Sequence, residues 1–106
     1  MRCRKCTPVP EEVRQAADLL ERRWTLTVIV AAQSGATRFN EFLDAVGRIP
    51  PGTLSARLAE LEAAGVLRRE VVDSRPPHVE YVLTEHGRAL QHLVVALQRW
   101  AASAVR

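Results

Sequence analysis

Lysine occurs once in this chain of 106 residues, cysteine twice and aromatic residues five times. Each scarcity removes a class of function. Trp24, Phe39, Phe42 and Tyr81 fall on apolar faces and belong to a core, so no row of rings is left over as a stacking platform for single-stranded nucleic acid. His78, His86 and His92 are scattered, and Cys3 and Cys6 have no second Cys or His pair at ligand spacing, so neither a metal nor a cofactor is expected. No apolar run approaches the ~18 residues that a membrane span needs, and the polar, basic start shows no signal-peptide pattern. A cytoplasmic protein without a membrane partner is expected. With no Gly-rich phosphate loop and no acid or nucleophile constellation at catalytic spacing, an enzyme is not.

What is present suits one domain spanning residues 1–106. A chain of this length buries about two-thirds of its unfolded surface and needs no metal or disulfide to fold. The net charge is only +3, yet all of the 15 basic residues except Lys5 are Arg and the sequence pI is about 9.5. That balance is compatible with a nucleic-acid partner. It equally fits an Arg-rich genomic composition.

The most informative stretch is Arg48 to Leu67, RIPPGTLSARLAELEAAGVL. Leu54, Leu58 and Leu61 recur at helical spacing, Pro50 and Pro51 precede them, and Gly65 supplies a left-handed stop. Opposite the leucines lie Gly52, Thr53, Ala56, Ala59 and Glu60, flanked by Ser55 and Arg57. The first two turns are therefore small, hydroxylic and free of acids. Such a face can enter a DNA groove, since bulk would hold the helix out and carboxylates would repel phosphate. Alone it reads sooner as an ordinary amphipathic core helix with a solvated back, a pattern common in helical domains, and its neighbours have to decide.

Residues 1–10 form a short polar arm with both cysteines. A helix follows from Pro10 or Glu11, striped by Val13, Ala16, Ala17 and Leu20 and ending near Arg22 or Arg23. Trp24 to Gln33 is apolar all round and reaches Ser34-Gly35 at helical length. Thr37 offers an N-cap for a helix carrying Phe39, Phe42, Leu43 and Val46, which Gly47 ends. Only a short turn containing Ile49 then leads to the leucine helix, as in a helix-turn-helix. Val66 to Val72 and Val79 to Leu83 read as a β-hairpin closed by DSRPPH. Thr84 caps a final helix over residues 85–105, with Leu90, Leu93, Val94, Leu97, Trp100, Ala101 and Ala104 as a stripe longer than one small core needs. The predicted fold is mainly α with a small β-hairpin: a winged helix-turn-helix with additional N- and C-terminal dimerisation helices.

The pattern RRWTLTVIV, RFNEF, IPPGTLSARLAELEAAGVLRR, PPHVEYVLTEHGRAL and a final W, from Ala17 to Trp100, resembles the HxlR family of bacterial and archaeal transcriptional regulators, related in fold to the MarR regulators. The resemblance implies a homodimer that pairs through its terminal helices, with Leu90, Leu93, Val94, Leu97, Trp100 and Ala101 at the interface, and binds double-stranded DNA. Base-reading positions would fall on Gly52, Thr53, Ser55, Ala56 and Arg57. Arg75 would occupy the wing tip, and Thr37 and Arg38 would touch phosphate. The chain departs from the family pattern at Pro50, where many members carry Ser or Thr, and at Gly52, where many carry a basic or amide residue.

Several HxlR-like regulators sense oxidants or electrophiles through a Cys near the N-terminus followed by Pro and an apolar residue. Cys6-Thr7-Pro8-Val9 resembles that signature with Thr7 inserted, and Arg2, Arg4 and Lys5 would favour thiolate at Cys3 and Cys6. The alternative is two thiols kept reduced in the cytoplasm. Two other functions stay open at this point: a winged-helix module that binds protein and not DNA, and a repressor with a small-molecule pocket at the dimer interface, its effector unknown.

Overall fold

The computed structural model describes residues 6–104. Six helices and one hairpin follow in the order α1 (Glu11–Leu20), α2 (Thr25–Gln33), α3 (Phe39–Val46), α4 (Pro51–Ala63), β1 (Leu67–Val72), β2 (His78–Leu83), α5 (Glu85–Arg88) and α6 (Gln91–Ala104). This is the mainly helical winged helix-turn-helix expected from the periodicities. α2 is buried on several sides, with Val28, Ile29, Ala31 and Ala32 in the core, because it has no polar face to offer water. Phe42 of α3 and Leu54, Leu58 and Leu61 of α4 close over it, each with no exposed surface. Ile49, in the turn between α3 and α4, is buried between the two helices.

Backbone chemistry fixes the joints. Gly65 adopts φ 77° after α4, and Val66 N–H returns to Leu61 O at 2.9 Å, so the chain leaves the helix directly into β1. β1 and β2 pair antiparallel, Leu67 opposite Leu83 and Val72 opposite His78. The hairpin is tied to the domain by Tyr81 N–H donating to Thr37 O at 2.7 Å, and by the Tyr81 ring standing edge-on to Phe42. Thr84 binds both ends of the wing's root: its hydroxyl donates to Gly65 O and Val66 O and accepts from Gly87 N–H.

Four local expectations are corrected. Trp24 does not belong to α2 but precedes it with φ 79°. Thr37 does not cap α3; Arg38 holds the cap position, and the Glu41 carboxylate reaches back to accept from Arg38 N–H at 3.0 Å and Thr37 N–H at 2.9 Å. The final helix of residues 85–105 is broken at Ala89-Leu90 into α5 and α6. There Gly87 O accepts from Leu90 N–H in a tight turn and from the Gln33 side chain at 3.0 Å, which draws it out of the regular ladder. Val94 lies in the core of its own subunit, 3% exposed, because the kink turns that face of α6 onto α2; Leu90 packs beside it.

Candidate nucleic-acid interface

α4 begins without a side-chain cap, since Pro50 at the cap position carries no hydroxyl. Its first turn presents free backbone N–H groups and contains no acid. Gly52, Ser55, Ala56 and Ala59 are all exposed and recur at spacings of three and four, so they form one stripe; Thr53 is half-buried at its edge. A Cβ added at Gly52 would meet nothing within 4 Å. The stripe is thus a smooth, uncharged strip of helix with one hydroxyl near its centre, able to approach a surface closely.

Arginines surround it in the sequence of elements. Arg38 is exposed at the head of α3, and Arg75 is exposed in the wing turn. Arg48 was not among the residues expected to bind. It stands exposed with φ 57° in the turn leading into α4, and Arg68 and Arg69 are exposed on β1. The signal that could have found Arg48 is its place directly before the Ile-Pro-Pro entry to the helix. Arg68 is partly neutralised by Glu70 at 2.7 Å.

Two expected contact residues are committed elsewhere. The Arg57 side chain is only 17% exposed: Nε donates to Arg23 O at 2.8 Å, and the terminal nitrogen reaches both Glu60 oxygens at 3.1 and 3.0 Å. It points back to the joint between α1 and α2 and away from the exposed stripe, because the adjacent carbonyl and carboxylate satisfy it better than water would. The Thr37 hydroxyl donates to Glu41 at 3.2 Å. Backbone N–H groups of Arg38 and Thr37 hold the Glu41 carboxyl below the usual carboxylate range.

On the proposed dimer face, Leu93 and Trp100 are 43% and 66% exposed, while Leu97 and Ala101 are half-buried. Val9 and Val13, beside and within α1, are also exposed, and α1 has no buried residue. Cys6 is exposed and disulfide-bonded; Cys3 lies outside the described residues. Among the described residues no group of His, Cys, Asp and Glu could hold a metal, and no helix is long and apolar enough to cross a membrane.

Comparison with known proteins agrees with this architecture. Residues 19–106 match the family model for HxlR-like helix-turn-helix proteins. The HTH-type transcriptional regulator YvaP of Bacillus subtilis is 36% identical over 82% of this chain and 81% of its own length. The reduced form of the transcriptional regulator YodB from B. subtilis superposes with a TM-score of 0.78 at 34% identity, covering 89% of this chain and 92% of that one. The redox regulator HypR in its oxidised form gives 0.79 at 37% identity, covering 87% and 95%. YvaP and YodB are described as transcriptional regulators, and this chain belongs to the HxlR family of helix-turn-helix transcriptional regulators.

Proposed function

We propose that this regulator binds double-stranded DNA in a sequence-specific way, as a homodimer on a pseudo-palindromic operator in the cytoplasm. The observation that carries the reading is the exposed, acid-free stripe Gly52, Ser55, Ala56 and Ala59 on the second helix of a helix-turn-helix. With so few hydrogen-bonding groups, direct reading rests on Ser55, Thr53 and backbone approach at Gly52. Arg38 and Arg48 supply phosphate contacts, and Arg75 contacts the flanking groove from the wing. Half-sites should lie roughly 34 Å apart, or a multiple of it.

Selection of bound sequences from random duplex DNA tests this and returns the operator. Enrichment of a palindromic motif is the expected result. A folded dimer that enriches no duplex at low salt would instead be a protein-binding module.

A response to oxidants through Cys6 and Cys3 completes the reading, supported by the exposure of Cys6 and by the similarity to YodB and HypR, both solved in reduced and oxidised or diamide-treated forms. The structure describes Cys6 in its disulfide-bonded, oxidised state; starting from the reduced protein, two thiols give up two electrons and two protons to an oxidant such as diamide and form a disulfide. Diamide should lower operator affinity in the wild type and leave the Cys3→Ser, Cys6→Ser double variant unchanged. Loss of affinity persisting in the double variant would remove the arm from the mechanism.

A further inference from the structure

Two features of the elbow between α1 and α2 make it costlier than a plain turn. Trp24 holds φ 79°, in the left-handed region that a bulky residue rarely occupies. Thr25, next to it, is fully buried, and its Oγ1 has no hydrogen-bond partner among the described residues. Glycine at the first position and an apolar residue at the second would avoid both costs. Strained backbone and an orphaned hydroxyl side by side mark a segment whose geometry is held for a purpose other than stability.

The grip on that geometry comes from α4. Arg57 Nε donates to Arg23 O at 2.8 Å and its terminal nitrogen to both Glu60 oxygens, while Arg22 reaches across to Glu60 Oε2 at 3.0 Å. Two bonds therefore cross between the elements, and the Arg57–Glu60 pair locks them to one another. A guanidinium presents its donors in a rigid plane, so two fixed ends define an orientation as well as a distance. Arg57 and Glu60 are half-buried, and Arg22 is the exposed outer end. α1 depends on this grip. It contains no buried residue, it packs on α2, and Leu19 and Leu20 of its last turn are what it lays against the core. Its earlier turns, with Val13 exposed, extend from the elbow as a lever.

We propose that Arg57 and Glu60 are positioning residues for operator binding: through the elbow they fix the stance of α4 relative to α1, and with it the separation of the two reading stripes in the dimer. α1 carries Val13 on the surface proposed to meet the partner, so each α4 is referred to the two-fold axis through its own elbow. DNA makes that reference matter. One base pair more between half-sites lengthens their separation by about 3.4 Å and turns one against the other by about 35°. A loosened stance then tolerates spacers that a fixed stance rejects. The inference rests on the reading of a DNA-binding homodimer for its effect on spacing, though not for the coupling of α1 to α4.

Two measurements test it. Residual dipolar couplings of backbone amides in the DNA-free protein should fit α1 and α4 to one alignment frame in the wild type. Arg57→Lys keeps the charge but cannot span Arg23 O and Glu60 with a planar fork, so there α1 should need a frame of its own. On the selected operator, the preference for the best spacer over spacers one base pair longer or shorter should fall about three- to tenfold in Arg57→Lys and Glu60→Gln. A merely structural role lowers affinity by one factor for every spacer and leaves that preference unmoved. Arg22→Ala changes the exposed end alone; it should move both readouts the same way by less, and it keeps the test open should the inner variants not fold. An unchanged spacer preference in the folded variants overturns the proposal, as does a single frame that still fits α1 and α4 in Arg57→Lys. If no duplex binds, the DNA reading fails while the couplings still judge the link between α1 and α4.

Discussion

A methyl group on Gly87 would sit 2.1 Å from the carbonyl oxygen of Val66 and 3.1 Å from Leu83 Cδ2. The neighbour is backbone and cannot rotate away, so Gly87→Ala should cost about 1–3 kcal/mol or more, measured by urea unfolding. A cost under about 0.5 kcal/mol would show that the root of the wing relaxes freely. Gly87 belongs to the VEYVLTEHG stretch that marked the family resemblance, yet its reason is a crossing of Thr84, Val66 and α5 that no spacing reveals. Gly52 is the opposite case, with open space around it, so its smallness concerns what the helix approaches and not how the chain folds. Glu41 adds a pH-dependent contribution. Its carboxyl is held low by backbone donors, so the folded form binds that proton less readily than the unfolded chain. Stability from the capping box is then present in full above the ordinary carboxylate range and is lost as pH falls through the lowered value. The gap in stability between wild type and Glu41→Ala should shrink on acidification; a gap constant down to acid unfolding would mean the carboxylate is not the cap.

At the scale of elements, the joint between α1 and α2 was the least legible part of the chain. RRW reads as the end of one helix and the start of another, but the structure makes it an elbow. Trp24 holds φ 79°, a conformation that a bulky residue keeps only when its surroundings fix it. Arg23 lies over the Trp24 ring at 4.9 Å while its carbonyl accepts from Arg57, and Arg22 meets Glu60 at 3.0 Å. The elbow is thus clamped to the back of α4. The order of helices, the short turn before α4 and the hairpin were all readable, because periods of 3.6 and 2 and the glycine stops are local signals. The direction of Arg57 was not, because the Arg23 carbonyl that fixes it lies 34 residues away, and the acid-free first two turns of its helix pointed to DNA although Glu60, three residues on, holds the other end of the guanidinium. Arg57→Ala should therefore destabilise the protein by about 1–3 kcal/mol and weaken operator binding evenly across sequences. Glu60→Gln should reproduce part of the loss and be non-additive with it. A relaxed preference at a single base position in Arg57→Ala would make the residue a reader instead.

For the whole molecule, the radius of gyration is 16.1 Å, against about 13 Å for a compact domain of 100 residues. The longest dimension is 62 Å and the others 34 and 25 Å, so the terminal helices extend beyond the core instead of wrapping it. Among their outward residues are four large apolar side chains, Val9 and Val13 by α1 and Leu93 and Trp100 on α6. An isolated domain would gain by folding such surface inward; in the proposed dimer a second copy would cover it without that rearrangement. Val94 and Leu90 do not share in this, because after the break that follows α5 they pack in the subunit's own core, so the stripe left for the proposed partner is narrower than the sequence pattern of the last helix implied. The narrowing makes a clean experiment available. Leu93→Asp with Trp100→Asp leaves the subunit's own core intact and places charge on the exposed apolar face proposed for the dimer. Sedimentation should show a folded monomer with the helical circular dichroism of the wild type. Its affinity for a full operator should fall about 10²–10⁴-fold toward that for a single half-site, and inserting base pairs between half-sites should no longer matter. A double variant that still sediments as a dimer would place the two-fold axis elsewhere, and with it the spacing of the two copies of α4 on DNA.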